Sequence, residues 1–165
     1  MTVAFTSGKA RRAGIALGAV SAGLLVLSAC DKPTPLATVT VGNTSVNAEA
    51  TCRNDGKVLS DEKLTTCLSS VKTSKTIKYS PGATLRLGVD PDVVENGDKW
   101  VAVLDGAPIT EPSKQTYRSF PNADVFATGG QGGAAPKSKK INIIQVNDNN
   151  KPKSVWSFTL KREDG

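Results

Sequence analysis

Lys140-Ile141-Asn142-Ile143-Ile144-Gln145-Val146, then Asn147-Asp148-Asn149-Asn150-Lys151-Pro152, then Ser154-Val155-Trp156-Ser157-Phe158-Thr159-Leu160-Lys161 is the stretch that decides the fold. It reads as two strands joined by a polar turn. Successive strand residues point to opposite faces, so Trp156, Phe158 and Leu160 share one face and are expected in the core. The Asp/Asn joint invites comparison with a calcium loop. It lacks the glycine and the closing glutamate that such a loop uses, so an ordinary hairpin connection is the reading taken.

The same chemistry extends outward. Ala37-Thr38-Val39-Thr40-Val41 alternates and stops at Gly42-Asn43, and Ser45–Ala50 reads as a second strand leading to Cys52. Lys75–Tyr79 precedes the turn Pro81-Gly82. Leu85, Leu87 and Val89 alternate within Ala83–Asp90, and Asp90-Pro91 reads as a cap with proline opening a short helical turn. Lys99–Leu104 is apolar on both faces, as a central strand would be, and Asp105-Gly106 turns the chain after it. Trp100 and Trp156 are expected as core residues rather than ligand platforms. One segment departs from this pattern. Leu64, Cys67, Leu68 and Val71 recur at helical spacing behind Ser60-Asp61-Glu62, which predicts a short helix or an irregular excursion. Some eight short strands without helical alternation predict a mainly β, antiparallel sandwich.

The N-terminus carries Lys9, Arg11 and Arg12 and no acid before Asp31. An apolar run from about Ala13 to Leu27 follows. It suits a signal peptide and falls short of the ~20 residues of a membrane span. Leu27-Ser28-Ala29-Cys30 closes it and has the form of a lipobox. Residues 1–29 are therefore expected to be removed and Cys30 to carry lipid, with 30–37 as a tether and 38–165 as one sandwich domain. Arg11-Arg12 is read as ordinary signal-peptide charge, its surroundings fitting a twin-arginine signal poorly. Each buried methylene of an acyl chain adds ~0.8 kcal/mol, so two or three chains would hold the protein on the outer face of the cell membrane. The tether Asp31–Ala37 contains Pro33 and Pro35 and reaches about 20 Å, which favours a membrane-proximal partner.

Removing the signal changes the charge reading. The 165-residue chain has 21 Lys+Arg against 15 Asp+Glu, a formal net charge of +6. Without Lys9, Arg11 and Arg12 the balance is about +3, which is no nucleic-acid footprint. If Cys30 is acylated, Cys52 and Cys67 remain as a pair, and an exported chain favours a structural disulfide between them. The chain has no histidine, and its one methionine is Met1. That excludes Ser-His-Asp and Cys-His chemistry and leaves the usual zinc, copper and haem sites without ligands. Gly129-Gly130-Gln131-Gly132-Gly133 reads as a flexible loop rather than a phosphate cradle. No cofactor is implied.

Several of these features occur together: Leu27-Ser28-Ala29-Cys30, an opening β-strand, the Cys52 and Cys67 pair, Ser80-Pro81-Gly82 running into Leu85-Arg86-Leu87-Gly88-Val89-Asp90-Pro91, and Trp100. In this combination the chain resembles a family of actinobacterial lipoproteins classed as a domain of unknown function. The resemblance covers most of the chain after Cys30. It implies a surface lipoprotein with an immunoglobulin-like sandwich of about seven to eight strands, and it brings no catalytic residues.

The leading functional expectation is a membrane-tethered, non-enzymatic binding module of the envelope. Its candidate contacts are Lys137, Lys139, Lys140, Lys151 and Lys153, with Lys161 and Arg162 behind them. On one face they could meet anionic lipid or an anionic envelope polymer; dispersed, they are a solvated surface. A second expectation is a carrier of a small or lipidic ligand. The third is a carboxylate hydrolase using Asp90, Asp92, Glu95 and Asp98, whose spacing reads more simply as a polar turn.

Overall fold

The computed structural model describes residues 34–70, 74–127 and 136–163. Cys30, the expected signal peptide 1–29, the start of the tether, Val71 and the loop Gly129–Gly133 lie outside the described residues. In chain order the elements are β1 (Leu36–Val41), β2 (Thr44–Glu49), β3 (Cys52–Arg53), α1 (Asp61–Ser69), β4 (Lys75–Tyr79), β5 (Leu85–Val89), β6 (Lys99–Leu104), β7 (Ala107–Pro108), β8 (Tyr117–Phe120), β9 (Ser138–Val146) and β10 (Pro152–Arg162). One sheet runs β2-β1-β5-β8. The other runs β3-β10-β9-β6-β7, with β4 also on β10. Among the described residues the protein is mainly β, an immunoglobulin-like sandwich whose strands pair antiparallel except β4 on β10, with one short α-helix.

The hairpin that decides the fold is its spine. β9 and β10 pair in antiparallel register, with Trp156 opposite Ile143 and Phe158 opposite Ile141. Trp156, Phe158, Leu160, Ile141 and Ile143 point toward the first sheet, where Val39, Leu85 and Leu87 meet them. Trp100 and Trp156 are both fully buried. Each indole N–H finds a carbonyl, Trp100 Nε1 donating to Gln115 at 2.6 Å and Trp156 Nε1 to Pro35 at 3.0 Å. Burying an indole without such a partner would leave a polar group unpaired.

The second sheet is buried on its outer face as well, because α1 covers it. Leu59, Cys67, Ile144, Val146 and Val155 form a separate apolar cluster, joined by Leu64 and Leu68. This explains why Ile143-Ile144 and Val155-Trp156 are apolar without alternation. The helix begins where Ser60 Oγ accepts the Lys63 amide at 3.3 Å, with Asp61 and Glu62 in its first turn. Its last turn has no base of its own. Lys140 on β9 supplies one, donating to the carbonyls of Leu68 at 2.8 Å and Ser70 at 2.9 Å. The Cys52–Cys67 disulfide ties α1 to β3.

Three departures from the sequence reading have physical causes. β4 pairs with β10 in parallel, Lys75 opposite Phe158 and Tyr79 opposite Arg162. After β3 the chain crosses the outer face as α1 and re-enters the sheet in the reverse sense. The described residues form ten strands rather than seven or eight, since β3 and β7 have two residues each and carry no pattern of their own. Finally, Asp90 flanks a 3-10 turn, Pro91–Val93, but makes no side-chain cap there. Its carboxylate accepts the Leu36 amide at 2.7 Å and so holds the end of β5 to the start of β1.

Tyr79 closes the far end of the core, its hydroxyl sharing a proton with the carbonyls of Ala83 (3.1 Å) and Ala123. Burial, and secondarily the charge of Asp124, raise its pKa above 10.0. The unfolded chain therefore ionises first as pH rises. Stability from this group is complete below pH 10.0 and is lost as pH climbs toward the folded-state value. Urea titrations across about pH 9–11 should show a shallower alkaline loss for Tyr79→Phe than for wild type; equal slopes would remove Tyr79 from the alkaline transition.

Candidate functional site

Strand register sorts the candidate lysines into three places. The chain enters the sandwich at Leu36, which pairs with Glu49, and Pro35 sits on Trp156. At this entry end β9 finishes and β10 begins, so Lys151 and Lys153 lie here. Lys137 and Lys139 lie at the opposite end of β9, together with Lys161 and Arg162 at the end of β10. Lys140 points to the outer face and is occupied by the carbonyls at the end of α1. The sequence left open whether the candidate lysines share one face; the register separates them.

Lys153 is occupied too. It occupies the irregularity between Pro152 and Ser154 and its ammonium meets Asp98 at 2.5 Å, the two side chains 18% and 9% exposed. Gln145 Nε2 donates to the same carboxylate oxygen and to the carbonyl of Val93, both at 3.0 Å. A partly buried charge pair of this kind positions the loop before β6. Gly97, at φ +89°, fits under Asp148, whose carboxylate oxygen lies 2.5 Å from where a Cβ would stand. Asp98 and Asp90 are thus engaged in holding the fold, and Glu95 is exposed. Asn147 Oδ1 accepts the amides of Asn149 (3.0 Å) and Lys151 (2.9 Å), which makes the Asp/Asn joint an Asx turn. Among the described residues no group of three or more His, Cys, Asp or Glu could hold a metal ion.

The interior is filled by Trp100, Trp156, Tyr79 and Phe158. Open space lies along the side, where edge strand β2 of one sheet runs beside edge strand β4 of the other. A groove of about 870 Å³ is lined there by Leu36, Val46, Ala48, Ala50, Ser74 and Lys75 among others. A smaller recess of about 430 Å³ lies toward the turn at Gly42-Asn43. Both edges keep unpaired backbone groups that a further strand could use. The sequence reading identified β2 and β4 as strands. It did not find the groove, because edge position depends on pairings made by other segments.

No family model matches the chain, and no curated protein matches it. Solved structures similar to it include the fibronectin(III)-like modules of CbhA from Clostridium thermocellum, at 10% identity and a TM-score of 0.36, covering 57% of this chain and 95% of that one. Another is the extracellular domain of BT4673 from B. thetaiotaomicron, assigned to a one component system, at 12% identity and a TM-score of 0.42. That match covers 79% of this chain, which spans 15% of the length of that structure.

Proposed function

We propose that the protein is a lipid-anchored module of the cell envelope that works by binding rather than by catalysis, in keeping with its resemblance to actinobacterial lipoproteins of no assigned activity. The observation that carries this reading is the Cys52–Cys67 bridge. A disulfide that fastens a helix to a sheet belongs to an oxidising, extracytoplasmic setting. It also leaves Cys30, at the lipobox, as the one cysteine available for an acyl group. The interior is filled by side chains, so a partner would meet the outer surfaces and strand edges. The partner would be a membrane-proximal envelope protein or an anionic envelope polymer.

Metabolic labelling with an alkyne fatty acid tests the anchor. Wild type should take up label and partition into detergent, and Cys30→Ser should do neither. Equal labelling of both forms would remove Cys30 as the acceptor.

The groove between β2 and β4 favours a second reading, a carrier of a small apolar ligand, since Leu36, Val46, Ala48 and Ala50 line it. Mass spectrometry of solvent extracts from purified Cys30→Ser protein should then show a stoichiometric ligand. Its loss from an Ala48→Glu form, and not from an Asn43→Asp form, would assign it to the groove.

A further inference from the structure

We infer that the end of the sandwich opposite the chain entry, carrying Lys78, Lys137, Lys139, Lys161 and Arg162, is a docking surface for a polyanionic polymer of the envelope and not for the bilayer. The inference rests on the anchored-module reading for its orientation and on the charge geometry for its chemistry.

The positive charge is placed there by register. Arg162 donates its amide to the Lys137 carbonyl at 2.9 Å, so these two residues stand across from each other on β10 and β9. Lys161 stands across from Lys78 on β4. Alternation then puts Lys137, Lys139 and Arg162 on one face of the sheet and Lys161 and Lys78 on the other. Like charges placed directly opposite destabilise a sheet. Here the pairing occurs on two neighbouring pairs; the acids near them include Glu163, which reaches Lys78 at 3.8 Å, Asp105, which accepts the Lys140 amide at 2.8 Å, and Asp124, whose charge acts on Tyr79. Among the described residues, the side chains of Lys137, Lys139, Lys161 and Arg162 make no hydrogen bond or ion pair, whereas Lys140 and Lys153 are consumed by the fold. An excess of cations without partners, on strands that would be more stable without it, fits a ligand that supplies the anions.

The place of this end within the sandwich follows from the strands. Pro35 lies five positions after Cys30, a reach of about 17 Å, and its carbonyl is held by Trp156 at the entry end. Trp156 stands opposite Ile143, and β9 spans about 20 Å between Ile143 and Lys137. The entry end mixes Glu49, Glu95 and Asp148 with Lys99 and Lys151, and so has no cationic excess to draw it flat onto anionic lipid. The basic end lies at the other end of the sandwich from Pro35, where repeating phosphates or carboxylates of a polymer can lie across it.

The test uses the acylated protein in detergent with two probes, long-chain inorganic polyphosphate and poly-glutamate. The Cys30→Ser protein is tested separately on phosphatidylcholine vesicles with and without phosphatidylglycerol. Wild type should bind at least one polymer, with affinity falling steeply as salt rises. Lys137→Gln/Lys139→Gln/Arg162→Gln and, independently, Lys78→Glu/Lys161→Glu should each weaken it by about tenfold or more, while Lys99→Gln/Lys151→Gln stays within about twofold. The second far-end variant alters only exposed side chains, so it decides the matter if the first fails to fold. No binding to either polymer, or equal loss in the far-end and entry-end variants, would overturn the proposal. So would binding of phosphatidylglycerol vesicles through the far-end residues. Polymer binding by a protein that carries no acyl group would remove the anchor reading and leave the surface standing. An acylated protein without polymer binding would do the reverse.

Discussion

Trp156→Ala should lower the free energy of unfolding by about 3–5 kcal/mol, the cost of an aromatic-to-alanine cavity in a packed core. Trp156 is fully buried on β10 between the sheets, opposite Ile143. Neighbours from two sheets surround the site, so it cannot collapse cheaply. The indole does a second thing, because Nε1 holds the carbonyl of Pro35 at 3.0 Å and fixes where the chain enters. Trp156→Phe separates the two effects. It keeps most of the ring and loses the N–H, and should cost about 1–3 kcal/mol for the carbonyl left unpaired and the smaller ring. Hydrogen exchange should show the amide of Leu36 losing protection in both variants. Urea unfolding followed by circular dichroism reads the stability. A loss below about 1 kcal/mol for Trp156→Ala would mean that the sheets close over the gap.

The second large effect is expected at the disulfide. Cys52 and Cys67 are separated by 15 residues, and closing a loop of that size removes about 3 kcal/mol of entropy from the unfolded chain. Cys52→Ala/Cys67→Ala should therefore be destabilised by about 3 kcal/mol, and wild type under reducing conditions by a similar amount. The loss should be uneven across the molecule. α1 has nine residues, fewer than the ~12–15 at which an isolated helix begins to hold in water. It persists through Leu64, Cys67 and Leu68 against Ile144, Val146 and Val155. Amides of α1 should exchange faster in the double variant while those of β9 and β10 change only with global stability. Unchanged exchange in α1 would show that apolar packing and the Lys140 contact suffice to hold it.

What the sequence determined by itself was whatever a local period or a local chemistry can encode. Alternation at Leu85, Leu87 and Val89 and at Trp156, Phe158 and Leu160 specified strands and their inward faces. Ser60 before Leu64, Cys67 and Leu68 specified a helix start. The pairing of Cys52 with Cys67 followed from setting Cys30 aside, and the absence of histidine excludes Ser-His-Asp and Cys-His chemistry outright.

The tertiary structure alone decided what depends on partners far along the chain. The parallel placement of β4 on β10, the groove between two edge strands, and Asp90 holding Leu36 rather than capping a turn all depend on such partners. The lysines show the reason most directly. Lys137, Lys139, Lys140, Lys151 and Lys153 are neighbours in sequence. A strand, however, advances about 3.3 Å per residue and alternates its faces, so a few positions separate two ends and two sides of the molecule. The fold sends Lys153 to Asp98 and Lys140 to the end of α1. It leaves Lys137 and Lys139 at the far end and gathers Lys161, Arg162 and Lys78 there with them.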